Sequence, residues 1–395
     1  MLAGKNIVLG VTGGIAAYKA AELLRLLVQA DAMVDVIMTH NATEFVTPLT
    51  FQTLSNRPVH LRTFNLLESS DISHTSLSDR ADLIVIAPAT ANLLGKYANG
   101  IADDLLTTTL LAAQAPVLIA PAMNPRMWDH PAVQQNVRTL RDRGVHFIGP
   151  EQGEVACKDV GWGRMSEPPV ILEAIEALLG EQLLAGKRIV VTAGPTREPI
   201  DPVRYISNRS SGRMGYALAR AARLMGAQVT LISGPSALRV PYDVKLRCVE
   251  TAQEMLKEVK AAFAKADALL MAAAVADFRP SEKHGEKLPK ATLPPDIVLA
   301  YNPDILATVA QKKGKRLVVG FAAETGEAEA KAMQKLRRKK LDAIIANDVS
   351  EPAIGFDSLE NEVKILFADG RIVALPRMEK NRLGIEILKK LFENI

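Results

Sequence analysis

Short apolar runs recur along the chain, each followed by a stretch in which apolar positions return every three or four residues. In the first half the runs are IVLGV (7–11), VDVIMT (34–39), DLIVIAP (82–88) and PVLIAP (116–121), with VHFIGP (145–150) as a fifth candidate. They are apolar throughout rather than alternating, the pattern of strands buried on both faces of a parallel sheet. Strands of this kind separated by helical stretches predict a doubly wound α/β domain. Residues 151–168, EQGEVACKDVGWGRMSEP, are rich in glycine and follow neither period. A long structureless segment in a compact domain points to function.

After a helix through VILEAIEALLG (170–180) the alternation restarts with RIVVTAG (188–194), AQVTLIS (227–233), ADALLMAAAVAD (266–277), RLVVGFAAET (316–325) and LDAIIAND (341–348). A second open sheet is expected. NEVKILFADGRIVAL (361–375) reads as two strands around Asp369-Gly370, a hairpin appended to that sheet. The fold class is therefore α/β, with two doubly wound, Rossmann-like domains and a boundary near residues 181–186.

Composition fits two domains: 395 residues, 48% hydrophobic and 23% charged, can bury a sizeable core. No apolar stretch reaches the ~18 residues of a membrane span, and Lys5 and Asn6 interrupt the N-terminal run, so a cytoplasmic protein without a membrane partner is expected. Cys157 and Cys248 are too few for a disulfide framework. Cys248, in VKLRCVE, alternates with apolar residues and is expected in the core. A net charge of +4 is mild for this length and gives no sign of a nucleic-acid partner.

The opening, LAGKNIVLGVTGGIAAYKAAELL, is nearly repeated at its start by LAGKRIVVTAGPT (184–196). In an open parallel sheet such glycine turns sit at the carboxyl ends of strands, where helix N-termini offer free N–H groups to anions. Neither turn is a Walker A loop, because no Gly-Lys is followed by Ser or Thr, and neither is GxGxxG. A nucleotide or phosphorylated ligand held by other loops remains, as does an ordinary strand-to-helix turn.

Other segments at expected strand ends carry chemistry. PATANLLGKYANG opens a helix with Pro88 and Thr90. PAMNPRMW holds Asn124 between two prolines, where its amide is either a turn element or a fixed donor to a carboxylate. His74 precedes a short helix, as a cap, an exposed residue or a base. Cys157 lies in the glycine-rich segment, from which a closing loop could deliver a thiol as acid or nucleophile. In the second half, Asn208, Ser210, Ser211 and Gly212 precede a helix near Arg213, a crowd of donors suited to phosphate or carboxylate. Asp277 ends a strand and could bind a base, a ribose or a metal. YNPDIL reads as a helix start with Asn302 as N-cap and Pro303 in the first helical position. GEKLPK carries Lys287 and Lys290, and Lys335 and Lys339 share a helix face, either solvated or set against a triphosphate.

Taken together these segments resemble the bacterial bifunctional enzymes of coenzyme A synthesis, in which phosphopantothenoylcysteine decarboxylase is fused to phosphopantothenate-cysteine ligase. VTGGIAAYK, His74, PATANL, PAMN and ACKDVGWGRM resemble the homo-oligomeric FMN-containing cysteine decarboxylases. TAGPTREPID, ISNRSSGRMG, AAAVADFRP, NPDI, GFAAET and AND resemble the ligase. The resemblance assigns residues 1–183 to the decarboxylase and 184–395 to the ligase. It implies FMN near Gly13, Gly14, Thr39, Pro88, Ala89, Thr90 and Asn92. Members often have Gly-Ser where this chain has Gly13-Gly14, so backbone N–H groups must make that contact here.

For decarboxylation the resemblance implies His74 as base in oxidising the substrate thiol, Asn124 as holder of the substrate carboxylate and Cys157 as the late proton donor. For ligation it implies CTP, a divalent cation such as Mg2+ or Mn2+, Asn208 orienting the reacting carboxyl and Lys287 stabilising developing charge. CTP would be bound by Ala273, Asp277, Lys287, Asn302, Pro303, Asp304, Ile305, Phe321, Lys335 and Lys339, with Asp277 also toward the metal. Substrates would be 4'-phosphopantothenate, L-cysteine and CTP, and the assembly a homo-oligomer, a trimer or a multiple such as a dodecamer. Two other readings are a flavin-binding regulator, and a different flavoprotein decarboxylase or prenyl-transfer relative fused to a nucleotide-binding domain.

Overall fold

The computed structural model describes residues 2–63, 73–289, 296–324, 328–348 and 358–393, which form two units, 1–180 and 181–395. In the first, the elements run β1 (Asn6–Val11), α1 (Ala17–Gln29), β2 (Met33–Met38), α2 (His40–Thr43), α3 (Pro48–Ser55), β3 (Val59–His60), α4 (Ser73–Arg80), β4 (Leu83–Ala89) and α5 (Ala91–Ala98). They continue with α6 (Leu105–Ala112), β5 (Val117–Pro121), α7 (Pro125–Trp128), α8 (Pro131–Asp142), β6 (His146–Phe147), β7 (Glu151–Glu154), β8 (Val160–Arg164) and α9 (Pro168–Leu179).

The six-stranded sheet has the order β3-β2-β1-β4-β5-β6 with every pairing parallel. Chain order reverses between β1 and β4, which opens a crevice at their carboxyl ends. β4 is buried along its whole length, as an uninterrupted apolar run requires. On one face Val8, Ile84 and Ile86 pack with Leu93, Leu106 and Leu140. Each such buried aliphatic side chain contributes about 1.5–3 kcal/mol.

The glycine-rich segment 151–168 differs from expectation. It folds as an antiparallel hairpin, β7 with β8. Its period is hidden because β8 spends alternate positions on Gly161 and Gly163, where a neighbouring loop leaves no room for a side chain. A Cβ at 163 would lie 2.2 Å from Met123 O, and one at 161 would lie 2.8 Å from the Pro125 ring.

The second unit runs β9 (Arg188–Ala193), β10 (Arg197–Pro199), β11 (Tyr205–Ser207), α10 (Arg213–Leu224), β12 (Gln228–Ser233), β13 (Lys245–Cys248), α11 (Ala252–Phe263), β14 (Ala268–Met271), β15 (Phe278–Pro280) and β16 (Leu299–Tyr301). It ends with α12 (Ile305–Ala310), β17 (Leu317–Glu324), α13 (Ala328–Lys339), β18 (Ala343–Asp348), β19 (Glu360–Phe367), β20 (Ile372–Glu379) and α14 (Lys380–Phe392). The sheet order is β13-β12-β9-β14-β17-β18-β19-β20, and the last two strands form the expected antiparallel hairpin. One face packs Val191, Leu231 and Ile345 against Leu218, Ala222, Leu383 and Ile387 of α10 and α14. The other packs Val190, Leu269 and Val318 against Val259, Phe263, Val309 and Leu336 of α11, α12 and α13. Both faces are covered, as double winding predicts.

Three local expectations are corrected. Cys248 is exposed, because β13 is the edge strand and its far end has no covering layer. Asp304, not Asn302, caps α12, accepting from Ala307 N at 2.9 Å. Pro88 belongs to β4, and the helix after it is capped by Thr90.

Candidate functional site

At the carboxyl edge of the first sheet, Gly13 and Gly14 follow β1, Thr39 follows β2, Pro88 and Ala89 close β4, Thr90 caps α5 and Asn92 lies exposed in its first turn. Thr12 clasps two of these turns together: its hydroxyl donates to Pro88 O (2.8 Å) and accepts from Thr90 N (3.1 Å). The N-cap of α1, Ala16, provides no side-chain cap, and among the described residues the amides of Gly13, Gly14 and Ile15 meet no backbone acceptor. A Cβ at Gly14 would have only Thr90 Cγ2, at 3.8 Å, for company. Free amides at a helix N-terminus beside open space and two threonines suit the phosphate and ribityl hydroxyls of FMN. The residues present therefore fit that group.

Asn124 projects from the turn after β5. Its Oδ1 accepts from Arg126 N (2.8 Å) and caps α7, so its Nδ2 is turned outward. The turn is held by the oxygen end of the amide, and the nitrogen end is a donor that here meets groups of the chain itself. Nδ2 meets Cys157 Sγ at 3.0 Å and Asp159 Oδ2 at 2.7 Å, while Cys157 Sγ lies 3.6 Å from the same carboxylate oxygen. The β7–β8 hairpin makes this possible, docking through Met123 N to Gly163 O (3.0 Å). Asp159 was not visible as a site residue from the sequence, where only its spacing of two from Cys157 hinted at it. Its carboxyl is held below the usual range by the Asn124 amide first and the Cys157 thiol next, against an opposing effect of burial. Lys19 of α1, nearly buried, pairs with Glu167 at 2.9 Å and ties the glycine-loop helix to the root of the hairpin. His74 lies in α4, and its side chain is outside the described residues.

In the second sheet the reversal falls between β9 and β14. Gly194 (φ +73°) and Gly212 (φ +78°) meet at the end of β9, where a Cβ on Gly212 would sit 3.2 Å from Gly194 N. That contact seats the N-terminus of α10 over the crevice. β9 leads first into the β10–β11 hairpin and only then into α10, so the second glycine turn is not the strand-to-helix turn its sequence suggests. Asn208 donates to Val275 O (3.0 Å), and Ala273 N donates to Thr192 Oγ1 (3.1 Å), which joins two of the predicted segments. β14 stops at Met271, so Asp277 lies beyond the strand end, exposed, with its carbonyl accepting from Asn302 N (2.8 Å). Asn302 Nδ2 also donates to Ala276 O (2.9 Å). Among the described residues no group of three or more His, Cys, Asp or Glu could hold a metal ion.

Lys335 and Lys339 of α13 do not face solvent. Lys335 donates to Phe321 O (3.3 Å) and Lys339 pairs with Asp304 (2.7 Å). Burial pushes the Asp304 carboxyl up, but Ala307 N–H, Lys339 and Lys335 outweigh it and the net shift is downward. Ile305 is buried in the core, so its side chain serves packing. Pro303 is half-buried ahead of the cap. Lys287 is exposed on the loop after β15, and Lys290 lies outside the described residues.

A cavity of about 80 Å3 is lined by Ser210, Gly212, Arg213, Phe321, Asn347 and Lys380, among others. Arg213 Nε and Asn347 Oδ1 are both buried without a partner among the described residues. One orphaned donor and one orphaned acceptor in a cavity at a helix N-terminus suit a polar ligand that brings an anionic acceptor to Arg213 and a donor to Asn347. Sequence reasoning reached Asn347 only within the AND segment, with no role given to it, and passed over Lys380 because nothing local distinguishes a lysine opening the last helix.

The Flavoprotein family model matches residues 1–180, and that of the DNA/pantothenate metabolism flavoprotein C-terminal domain matches residues 184–395. The coenzyme A biosynthesis bifunctional protein CoaBC of Bacillus subtilis is 49% identical over 395 residues, covering 99% of this chain and 97% of its own length. A crystal structure of the C-terminal domain of a coenzyme A biosynthesis bifunctional protein is 42% identical and covers 54% of this chain and 98% of its own, with a TM-score of 0.47. The FMN-dependent cysteine decarboxylase SpaF is 32% identical and covers 45% of this chain and 97% of its own, with a TM-score of 0.40.

Proposed function

This chain belongs to the family of coenzyme A biosynthesis bifunctional proteins, and from that premise we propose how its two crevices divide the chemistry. The second unit joins 4'-phosphopantothenate to L-cysteine with CTP, and the first decarboxylates the product to 4'-phosphopantetheine with FMN. The observation that carries the reading is the contact of Cys157 with Asn124 under the hairpin, a thiol and a carboxylate-binding amide at the edge of a flavin-type crevice. A protein that merely binds flavin needs neither.

In the ligase the substrate carboxylate displaces pyrophosphate from CTP, and the amine of cysteine then displaces CMP from the acyl-cytidylate. Asn208 orients the carboxyl region, and Lys287 stabilises the negative charge that develops there. Asn302 to Ile305, Ala273, Asp277, Phe321, Lys335 and Lys339 surround the nucleotide, with both lysines toward the triphosphate. A divalent cation such as Mg2+ or Mn2+ would come bound to the triphosphate, with Asp277 as a carboxylate beside the proposed nucleotide.

In the decarboxylase, FMN would be held by the Gly13-Gly14 turn and the turn from Pro88 to Asn92, and would supply a reversible two-electron oxidation of the thiol-bearing carbon of the acylated cysteine. Asn124 presents its N–H donors to the departing carboxylate, which must take the place now held by Asp159. His74 accepts the thiol proton at the start. Cys157 gives its proton to carbon at the end, and because the two-electron oxidation is reversed at that stage, no net oxidation occurs.

No helix among the described residues is long and apolar enough to cross a membrane. Exposed Ile15, Tyr18, Phe45 and Leu49 near the first glycine turn support a homo-oligomer, which we propose is a trimer or a multiple of it, in the cytoplasm. The test is incubation of the purified chain with 4'-phosphopantothenate, cysteine and CTP, with products identified by mass spectrometry. Phosphopantetheine, CMP and pyrophosphate in equal amounts are expected. Failure to form the cysteine amide, or accumulation of that amide with FMN present, overturns the ligase or the decarboxylase assignment respectively.

A further inference from the structure

We infer that Asp201 is a positioning residue for ligation, holding the Lys287 loop through the backbone of Leu288; the inference rests on the proposed role of Lys287. Lys287 is exposed on an irregular loop, and a long ammonium side chain with no regular element beneath it loses several rotatable bonds' worth of freedom when it engages a reacting carboxyl. Something must fix its backbone, and the neighbouring residue shows what does.

Asp201 sits in the turn between β10 and β11, and its side chain is wholly buried. Oδ1 accepts from Val203 N and Arg204 N, both at 2.8 Å, which locks the turn on itself. Oδ2 accepts from Arg204 Nε at 3.0 Å and from the second guanidinium nitrogen as well. The same Oδ2 then accepts from Leu288 N at 3.2 Å, and the Arg204 guanidinium donates onward to Leu288 O at 2.9 Å. Both polar backbone groups of the residue following Lys287 are thus gripped by one ion pair. A second tie, His284 N to Ile200 O at 3.0 Å, fastens the front of the loop to the same turn.

The carboxylate holds this post as an anion. The Arg204 guanidinium, first, and the amides of Val203, Arg204 and Leu288 outweigh desolvation and keep the Asp201 carboxyl far below the usual carboxylate range. Asparagine at 201 would turn an N–H donor toward donors it cannot satisfy. The grip acts only on the backbone beside Lys287, so Asp201 works through that lysine and touches no reacting atom.

The test is a double-mutant cycle on the intact, FMN-loaded chain: Asp201→Asn, Lys287→Gln and the pair, with decarboxylation of phosphopantothenoylcysteine as an internal control. A misplacement of about 1 Å costs up to about 10²-fold, so Asp201→Asn is expected to slow ligation at saturating CTP by about 10- to 100-fold. Decarboxylation should be unchanged, and hydrogen exchange at the Leu288 amide should accelerate. The double variant should ligate no more slowly than Lys287→Gln alone, because a positioner has nothing left to position. Full additivity, or unchanged exchange at Leu288, overturns the inference. If Lys287→Gln itself ligates normally, the role of Lys287 fails, while faster Leu288 exchange in Asp201→Asn still reports the grip. Should Asp201→Asn not fold, Leu288→Pro removes the same N–H with the ion pair intact, and an undiminished ligation rate in that variant overturns the inference.

Discussion

Replacing Gly163 by alanine probes the hairpin that carries Cys157. The new Cβ would lie 2.2 Å from Met123 O and 3.2 Å from Pro125 N, where ordinary contact begins at 3.4 Å. Both obstacles are backbone and cannot rotate away, so β8 must retreat by about 1 Å. Retreat stretches the 3.0 Å bond from Met123 N to Gly163 O and takes Cys157 out of the 3.0 Å reach of Asn124. Overpacking of this kind costs about 1–3 kcal/mol, which a core as extensive as this one tolerates, so the chain should fold. Displacing a reacting group by about 1 Å can cost up to about 10²-fold in rate. CO2 release from phosphopantothenoylcysteine and CTP-dependent pyrophosphate release are measured on the same sample, with bound flavin read from its absorbance. The expected result is a 10- to 100-fold loss of decarboxylation at full flavin content and normal ligation. Decarboxylation at the parent rate would falsify the view that the hairpin's seat on residues 123–125 sets the thiol in place.

Cys157→Ser should still release CO2 but stall before the final protonation, because a hydroxyl is a far weaker acid than a thiol; mass spectrometry should find a product two hydrogens short of phosphopantetheine, and normal turnover would refute the role. Thr12→Val leaves Thr90 N–H unpaired at about 1–3 kcal/mol and Pro88 O with only the 3.3 Å bond from the residue-12 N–H, and should weaken FMN retention in equilibrium dialysis. Lys335→Gln should mainly raise the CTP concentration needed for half-maximal pyrophosphate release, since a phosphate contact on a formed helix contributes chiefly to binding. Lys19→Met concerns pH. Burial raises the Glu167 carboxyl, but Lys19 and Arg164 outweigh it and leave it below its ordinary 4.5. The pair's stabilisation is therefore present above that ordinary value and lost as pH falls through the depressed one. With Glu167 38% exposed, solvent screens the pair to about 1 kcal/mol. Thermal melts should show the Lys19→Met deficit at pH 7 and its disappearance in acid.

What the sequence revealed and what it concealed divide along physical lines. Central strands such as β4 and β9 announce themselves because burial on both faces leaves apolar residues almost throughout, Arg188 at the exposed start of β9 and Thr192 near its end being the exceptions. β3, with two residues, and the β7–β8 hairpin do not, since one is too short for a period and the other is built around glycines dictated by a distant turn. In Asn302-Pro303-Asp304 two residue types suited to capping flank a proline; Asp304 takes Ala307 N and is the cap, while Asn302 is turned to Ala276 O in another segment. Cys248 follows a core-like alternation, yet no covering element reaches that end of the edge strand. Asp159 and Asp201 owe their placement to partners in other loops, Asn124 and Leu288, and such long-range contacts leave no local mark.

If the nucleotide is taken as proposed beside α12 and α13, the pairing of Lys339 with Asp304 gives its crevice a resident counter-ion. A lysine facing empty water would attract any phosphate, whereas one already satisfied by a carboxylate yields only to a ligand that offers more charge than it surrenders. Inorganic phosphate and a monophosphate compete poorly on those terms, and a triphosphate competes well. The carboxylate set free by that exchange keeps its second oxygen on Ala307 N–H, so the helix start survives the swap. On this view selectivity for a polyphosphate resides in the bond that must be broken to admit it as much as in the bonds it makes on arrival.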